Sequence, residues 1–154
     1  MRWSDVLRDK TLRDLPYKIE LNQWGKIEMT PASNKHGRYE SKISFLLQNQ
    51  LPNGETITEC AIDTAKGVKV ADVAWCSEEF IKKHGFQTPY PEAPEICVEI
   101  VSPSNAKAEM QEKIRLYLDQ GAKEVWLVYE DGRVEFYDRT GALPRSGFNV
   151  SVSL

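Results

Sequence analysis

The sequence predicts an α/β domain, a mixed central β-sheet flanked by helices. Three observations predict it. Strand-like apolar runs alternate with stretches of helical period along the chain. The most apolar short run, Ile96 to Ser102, lies between a proline-rich segment and Ser102-Pro103-Ser104-Asn105, as a buried central strand would. Turn signals separate the elements where a compact sheet needs them. The 154 residues suit one domain with one core, spanning 1–154.

In chain order, residues 1–15 mix charges with Val6, Leu7, Leu12 and Leu15 and predict a short N-terminal helical extension ended by Pro16. Tyr17 to Leu21 and Lys26 to Met29 alternate around Asn22-Gln-Trp-Gly25 and read as a β-hairpin. The cluster Thr30 to Asn34 supplies caps for a helix over Gly37 to Leu51, ended by Pro52-Asn53-Gly54. Glu55 to Ile62 and Val68 to Trp75 are strands, joined by a loop at Asp63 to Gly67. A helical turn at Glu78 to Lys83 precedes an irregular loop with Pro89, Pro91 and Pro94. After the central strand comes a helix from Ala106 to Gln120, with Gly121 at its end. Val125 to Tyr129 and Arg133 to Asp138 form a second hairpin around Glu130-Asp131-Gly132, and the tail from Thr140 is an edge strand or loose end.

Composition narrows the function. The chain is 41% hydrophobic and 28% charged, as in a globular protein. No run approaches the roughly 20 apolar residues of a membrane span. Met1 to Lys10 lacks the apolar stretch of a signal peptide, so a cytoplasmic location is expected. Cys60, Cys76 and Cys97 form no CxxC pair and sit in apolar runs, which points to buried thiols rather than disulfides or zinc ligands. The net charge of −3 argues mildly against a large DNA-binding surface, although a local basic patch and bound cations can supply the positive field.

Glu99 is the first residue that calls for chemistry. In Ile96 to Val101 both strand faces are apolar apart from this one carboxylate. Burying it unpaired costs several kcal/mol, so it needs a partner. A metal ion is a good candidate, and a lysine at a strand edge is the alternative. Asp72 interrupts another apolar strand on the side of Val68 and Val70. Two carboxylates on neighbouring buried strands suit Mg²⁺, which takes one or two carboxylates together with water and phosphate. On the Ala106 to Gln120 helix, Met110, Ile114, Tyr117 and Leu118 make the apolar stripe, with Lys113 at its border. That border should pass near Glu99, where a lysine can stabilise charge on a phosphate or on an attacking water. A surface pair with Glu109 at i, i+4, worth about 0.2–0.5 kcal/mol, explains Lys113 equally well on helix grounds alone.

The pattern as a whole resembles the PD-(D/E)XK nuclease superfamily and, within it, the Uma-two-like restriction endonucleases. The matching stretches run from about Tyr17 to Tyr137: Met29-Thr-Pro-Ala-Ser33 with His36-Gly37, then Ala71-Asp72-Val73-Ala74, then Val98-Glu99-Ile100-Val101-Ser102-Pro103-Ser104. Glu109, Lys113 and Tyr117 follow, then Gly121-Ala-Lys-Glu-Val-Trp126. The resemblance implies a restriction-endonuclease-like core, Asp72 and Glu99 as ligands of Mg²⁺ (or Mn²⁺), and a lysine that orients water. In the superfamily the lysine lies two residues after the acid, where this chain has Val101; the nearer family places it on the next helix, matching Lys113. Ala71 stands where the family tends to have proline. Glu109 and His36 match family positions as supporting residues, and Glu40 is a further acid near the helix start.

The expected function is metal-dependent hydrolysis of DNA, with a homodimer suited to cutting both strands of a duplex. Two rivals stand beside it: a weak or inactive nuclease fold that binds nucleic acid or a protein partner, and a small-molecule enzyme using a carboxylate pair.

Overall fold

The computed structural model describes residues 1–154. The first helix, α1, spans Trp3–Arg8, and a 3₁₀ turn follows at Lys10–Leu12. Strands β1 (Tyr17–Leu21) and β2 (Ile27–Pro31) pair as an antiparallel hairpin that forms its own two-stranded sheet. Pro31, expected in a turn, is the last strand residue; at a strand end its missing N–H breaks no internal rung.

Helix α2 (Asn34–Gln50) starts three residues before the sequence-based expectation, because Ser33 caps it by accepting from the His36 N–H at 3.1 Å. Strands β3 (Gly54–Thr64) and β4 (Gly67–Ser77) are longer than the periodicity suggests. Their pairing continues to Thr64 opposite Gly67, so the expected loop shrinks to a tight turn. Helix α3 (Glu78–His84) leads through the proline-rich loop to β5 (Ile96–Ile100). Helix α4 (Lys107–Asp119) then crosses over to β6 (Glu124–Val128), and β7 (Val134–Asp138) and β8 (Gly141–Leu143) finish the sheet.

The main sheet has the order β3-β4-β5-β6-β7-β8, with β5 and β6 parallel and every other neighbour antiparallel. This is the mixed sheet the sequence predicts, and β5 is central and buried along its whole length. The alternation in β5 sorts the two faces. Ile96, Val98 and Ile100 pack with Ile43 and Leu47 of α2, together with Trp126 and Val150. Cys97 packs on the other side with Met110, Ile114, Tyr117 and Leu118 of α4 and Phe80 of α3. Val150 shows that the tail beyond β8 covers core rather than hanging loose.

A third small cluster, Val6 and Leu21 with Ala61, Val68 and Val70, fastens α1 and the hairpin to β3 and β4. Gly67 is needed there. Its φ is +89°, and a Cβ would lie 2.3 Å from the Leu21 carbonyl oxygen. The end of β1 therefore rests directly on the β3–β4 turn, and this fixes the hairpin over one end of the sheet.

Candidate active site

The sheet parts where the acids lie. Pairing between β4 and β5 runs from Trp75 opposite Ile96 to Val73 opposite Val98 and then stops. One step further along the same register, Asp72 stands opposite Glu99. Here the Asp72 side chain takes over from the backbone ladder: its Oδ2 accepts the Ile100 N–H at 2.7 Å. Both acids are buried, with Asp72 0% and Glu99 2% exposed.

The expected third member arrives from α4. Lys113 is buried and donates to Glu99 Oε1 at 3.4 Å and to both carboxylate oxygens of Glu20 at 3.0 Å. The surface pair with Glu109 does not form. Glu109 lies on the exposed side of α4, where its Oε1 accepts from Asn105 Nδ2 at 3.4 Å. The Ser102-Pro103-Ser104-Asn105 segment sets the start of this helix, though not as a cap. Asn105 Oδ1 accepts from the Ser102 N–H at 2.9 Å and closes the turn before α4, whose N-cap Ala106 has no side-chain bond.

Four participants escaped sequence reasoning. Lys18 and Glu20 share the inward face of β1. Lys18 Nζ donates to Asp72 Oδ1 at 3.0 Å and to Glu99 Oε2 at 2.9 Å, with only 8% of its side chain exposed. Glu20 Oε2 also accepts the Val70 N–H at 2.7 Å, which joins the hairpin to β4. Tyr117, read as part of the apolar stripe of α4 and as a family match but given no role in the site, donates its hydroxyl to Glu99 Oε1 at 2.7 Å. Glu59 of β3 faces Asp72 across the sheet, held at φ +53° while the register on either side continues unbroken. A Lys-x-Glu pattern on a hairpin strand normally marks a solvent face, so only the placement of the hairpin reveals the first two. Glu59 alternates as any exposed acid would.

His36 and Glu40 complete the rim. His36 Nε2 lies 3.2 Å from Asp72 Oδ1 and 3.6 Å from Glu40 Oε2. His36, Glu59 and Asp72 each bring one donor atom within 4.8 Å of the others, a grouping able to hold a metal ion. The site therefore draws on β1, α2, β3, β4, β5 and α4.

These contacts set the protonation of the groups. Burial alone would raise the Asp72 carboxyl, but Lys18 and His36 outweigh it and hold Asp72 well below the usual carboxylate range. Burial pushes Glu99 up, only partly opposed by Lys113 and Lys18. Glu20 is pushed up by burial but ends lowered, because Lys18, Lys113 and the Val70 N–H stabilise its charge. Burial also works against the Lys18 ammonium, yet Glu99 and Asp72 carry it well above its ordinary value. The hydrogen bond with Asp72 raises His36 against the effect of burial. Glu40 is pushed up to about 8 by burial and then by the neighbouring Glu59.

The residues enclose a chamber of about 20 Å³ bordered by Lys18, His36, Asp72, Glu99 and Lys113. Larger grooves flank it. One of about 600 Å³ shares Asn105 and Met110 with the chamber and carries Lys107, Tyr129 and Arg133. The other, about 400 Å³, shares Thr30 and Lys113 and carries Lys66 and Lys69. Three of these cations have acidic partners: Lys66 with Glu112, Lys69 with Glu28 and Arg133 with Glu135. The surface is thus charged on both sides of the chamber without being strongly basic, in line with the net charge of −3.

A mixed sheet whose strands separate at a buried Asp–Glu pair, with helices on both faces, is a restriction-endonuclease-like core. The chain belongs to the family described as "Uma2: Putative restriction endonuclease", whose sequence pattern matches residues 9–151. That family is part of the PD-(D/E)XK-like nuclease superfamily. The fold is similar to the crystal structure of "a putative nuclease belonging to DUF820" from Anabaena variabilis, with a TM-score of 0.65 and 17% sequence identity over 88% of this chain and 86% of that one. Among curated proteins, none matches the sequence. No helix is long and apolar enough to cross a membrane.

Proposed function

We propose that this chain is a metal-dependent endonuclease that hydrolyses DNA phosphodiester bonds, its single nuclease domain spanning 1–154. The observation that carries this reading is the buried acid pair Asp72 and Glu99, with donor atoms of His36 and Glu59 grouped within 4.8 Å of that of Asp72. Two buried carboxylates that already face one shared cation fit Mg²⁺, or Mn²⁺, which favours carboxylate and water oxygen. Asp72 and Glu99 would hold that ion, with His36 and Glu59 beside Asp72 as further donors. When bound, the ion supplies Lewis-acid polarisation of a phosphate oxygen and a lowered pKa for a coordinated water.

The protein's own groups supply the rest. Lys113, anchored by Glu20 and adjoining Glu99, would orient the attacking water and balance charge that grows on the phosphate. Tyr117 fixes the rotamer of Glu99 through its 2.7 Å hydrogen bond. His36 and Glu40 support the geometry around Asp72, and Glu109 lies on the exposed flank of α4. A covalent enzyme intermediate is not required, and the cysteines are poor nucleophiles: burial raises the thiols of Cys60, Cys76 and Cys97. The reading places the protein in the cytoplasm, with DNA as partner and a homodimer as the unit that cuts both strands.

The test is cleavage of supercoiled plasmid in Mg²⁺ or Mn²⁺ by the native protein and by Glu99→Ala. Nicking or linearisation by the native protein alone supports the assignment. Equal cleavage by both would remove Glu99 from the mechanism. The buried Lys18 bridge favours a second reading, in which the ionic network is structural and the fold is an inactive module for nucleic acid or a protein partner. Absence of cleavage together with absence of Mn²⁺ binding would select it.

A further inference from the structure

Lys18 occupies the space between the two acids. Its ammonium lies 3.0 Å from Asp72 Oδ1 and 2.9 Å from Glu99 Oε2 and spans the two acids. A magnesium ion held by these oxygens would sit about 2.0–2.1 Å from each. The two cations would then overlap, so this position admits one of them at a time. We propose that Lys18 is an intrinsic competitor for the divalent-cation position: its ammonium and the ion exclude one another, and binding of the ion swings the lysine out. The inference rests on the metal-site reading above and adds the residue that sets the affinity of that site.

Charge balance supports exchange rather than joint occupancy. Asp72, Glu99 and Glu20 are three carboxylates faced by the two ammonium groups of Lys18 and Lys113, which leaves one negative charge. A divalent ion in place of Lys18 leaves none. With both present at the same two oxygens, the ammonium and the ion would repel each other at close range in a buried site, which is costly away from water.

The structure also provides somewhere for the lysine to go. Lys18 also borders a further groove of about 330 Å³, between α1 and the sheet, where Trp3, Leu12 and Val70 line the walls and the two acids Asp9 and Glu59 outnumber the one other cation, Arg13. A lysine stem has four rotatable carbons and a compact charge, so it can turn from the chamber into this groove without moving the backbone of β1. Its aliphatic part would lie along apolar walls while its charge meets an acid.

The experiment uses the full chain, with Mn²⁺ and Mg²⁺ alone as probes. Calorimetric titration with Mn²⁺ compares the native protein with Lys18→Met and Lys18→Gln, which remove the charge and keep most of the stem volume. A side chain that holds the position about nine-tenths of the time lowers apparent affinity about tenfold, so the variants are expected to bind Mn²⁺ about tenfold or more tightly. Equal or weaker binding by a folded variant overturns the inference and leaves the metal site intact. No binding to any of the three proteins overturns the inference and the metal-site reading together. Should neither variant fold, the native protein decides: the ¹⁵N signal of the Lys18 ammonium is expected to shift and to exchange faster with water on Mg²⁺ saturation. If that signal stays unchanged while Mg²⁺ binds, Lys18 has not moved and the inference fails.

Discussion

Replacing Glu20 by glutamine probes the bridge between the hairpin and α4. Glu20 is 5% exposed, and it receives the Lys113 ammonium on both oxygens at 3.0 Å and the Val70 N–H at 2.7 Å. Glutamine has nearly the same shape, and its amide oxygen can still accept from Val70. What is lost is one buried charge and one of the two acceptors that receive Lys113. Breaking a buried pair by removing one partner costs about 3–5 kcal/mol, because the other charge stays behind. Lys113 keeps Glu99 at 3.4 Å. The expected loss therefore lies at the lower end, about 3 kcal/mol. At about 2.1 cal/mol/K per residue, unfolding a chain of 154 residues releases about 0.32 kcal/mol/K, so the midpoint should fall by about 9 °C. Scanning calorimetry at neutral pH, with a urea melt as a check, measures this directly. The double variant Glu20→Gln/Lys113→Met removes both charges and should recover part of the loss, Glu99 then keeping Lys18 as its cationic partner. A single variant that melts within about 2 °C of the native protein would refute the claim that Lys113 depends on Glu20.

Three further outcomes follow from the same contacts. Tyr117→Phe removes a buried hydrogen bond to Glu99 without opening a cavity, and should cost about 1.5–3 kcal/mol in a urea melt; no measurable loss would mean that the tyrosine does not hold Glu99. The Glu40 carboxyl is pushed up to about 8 from an ordinary 4.5. The unfolded chain then loses this proton first, so stability drains away as pH rises from about 4.5 through about 8. Glu40→Gln, which cannot ionise, should gain midpoint temperature over the native protein between about pH 5 and about pH 9, and a constant difference would contradict the shift. Burial, with Glu95 and Glu55 nearby, pushes the Cys76 thiol up to about 12. Labelling of Cys76 by a disulfide reagent should therefore track unfolding, with rapid reaction only in denaturant; prompt native-state labelling would show that this thiol is accessible.

The order of elements was legible in the sequence because each had its own punctuation. Pro52-Asn53-Gly54 ends α2, Ser102-Pro103 ends β5, and Gly121 follows α4. Asp72 and Glu99 were legible for a related reason: a carboxylate inside an otherwise apolar strand is costly and stands out. Boundaries were less so. The β3–β4 turn is tighter than its composition suggested, because Gly67 takes a positive φ that composition alone does not disclose. Lys18 and Glu20 were hidden because their burial comes from the docking of a separate hairpin, a tertiary event with no local signature. Lys113 was ambiguous on its helix; the family resemblance favoured it for the site, and its burial against Glu20 and Glu99 is what the structure adds.

Asp72 is bound to the sheet as firmly as to the site. Its Oδ2 completes a rung at Ile100 where the β4–β5 ladder has ended, which leaves Oδ1 as the oxygen that faces Lys18 and His36. One end of the carboxylate thus behaves as masonry and the other as a tool. A ligand atom mounted in this way moves only as far as the sheet moves, so the accuracy of the site is inherited from backbone stiffness rather than from side-chain packing. Length then matters as much as charge. A glutamate at this position would have to give up either the rung or the reach, whereas an asparagine that kept the rung would turn a donor amide, in place of an acceptor, toward Lys18.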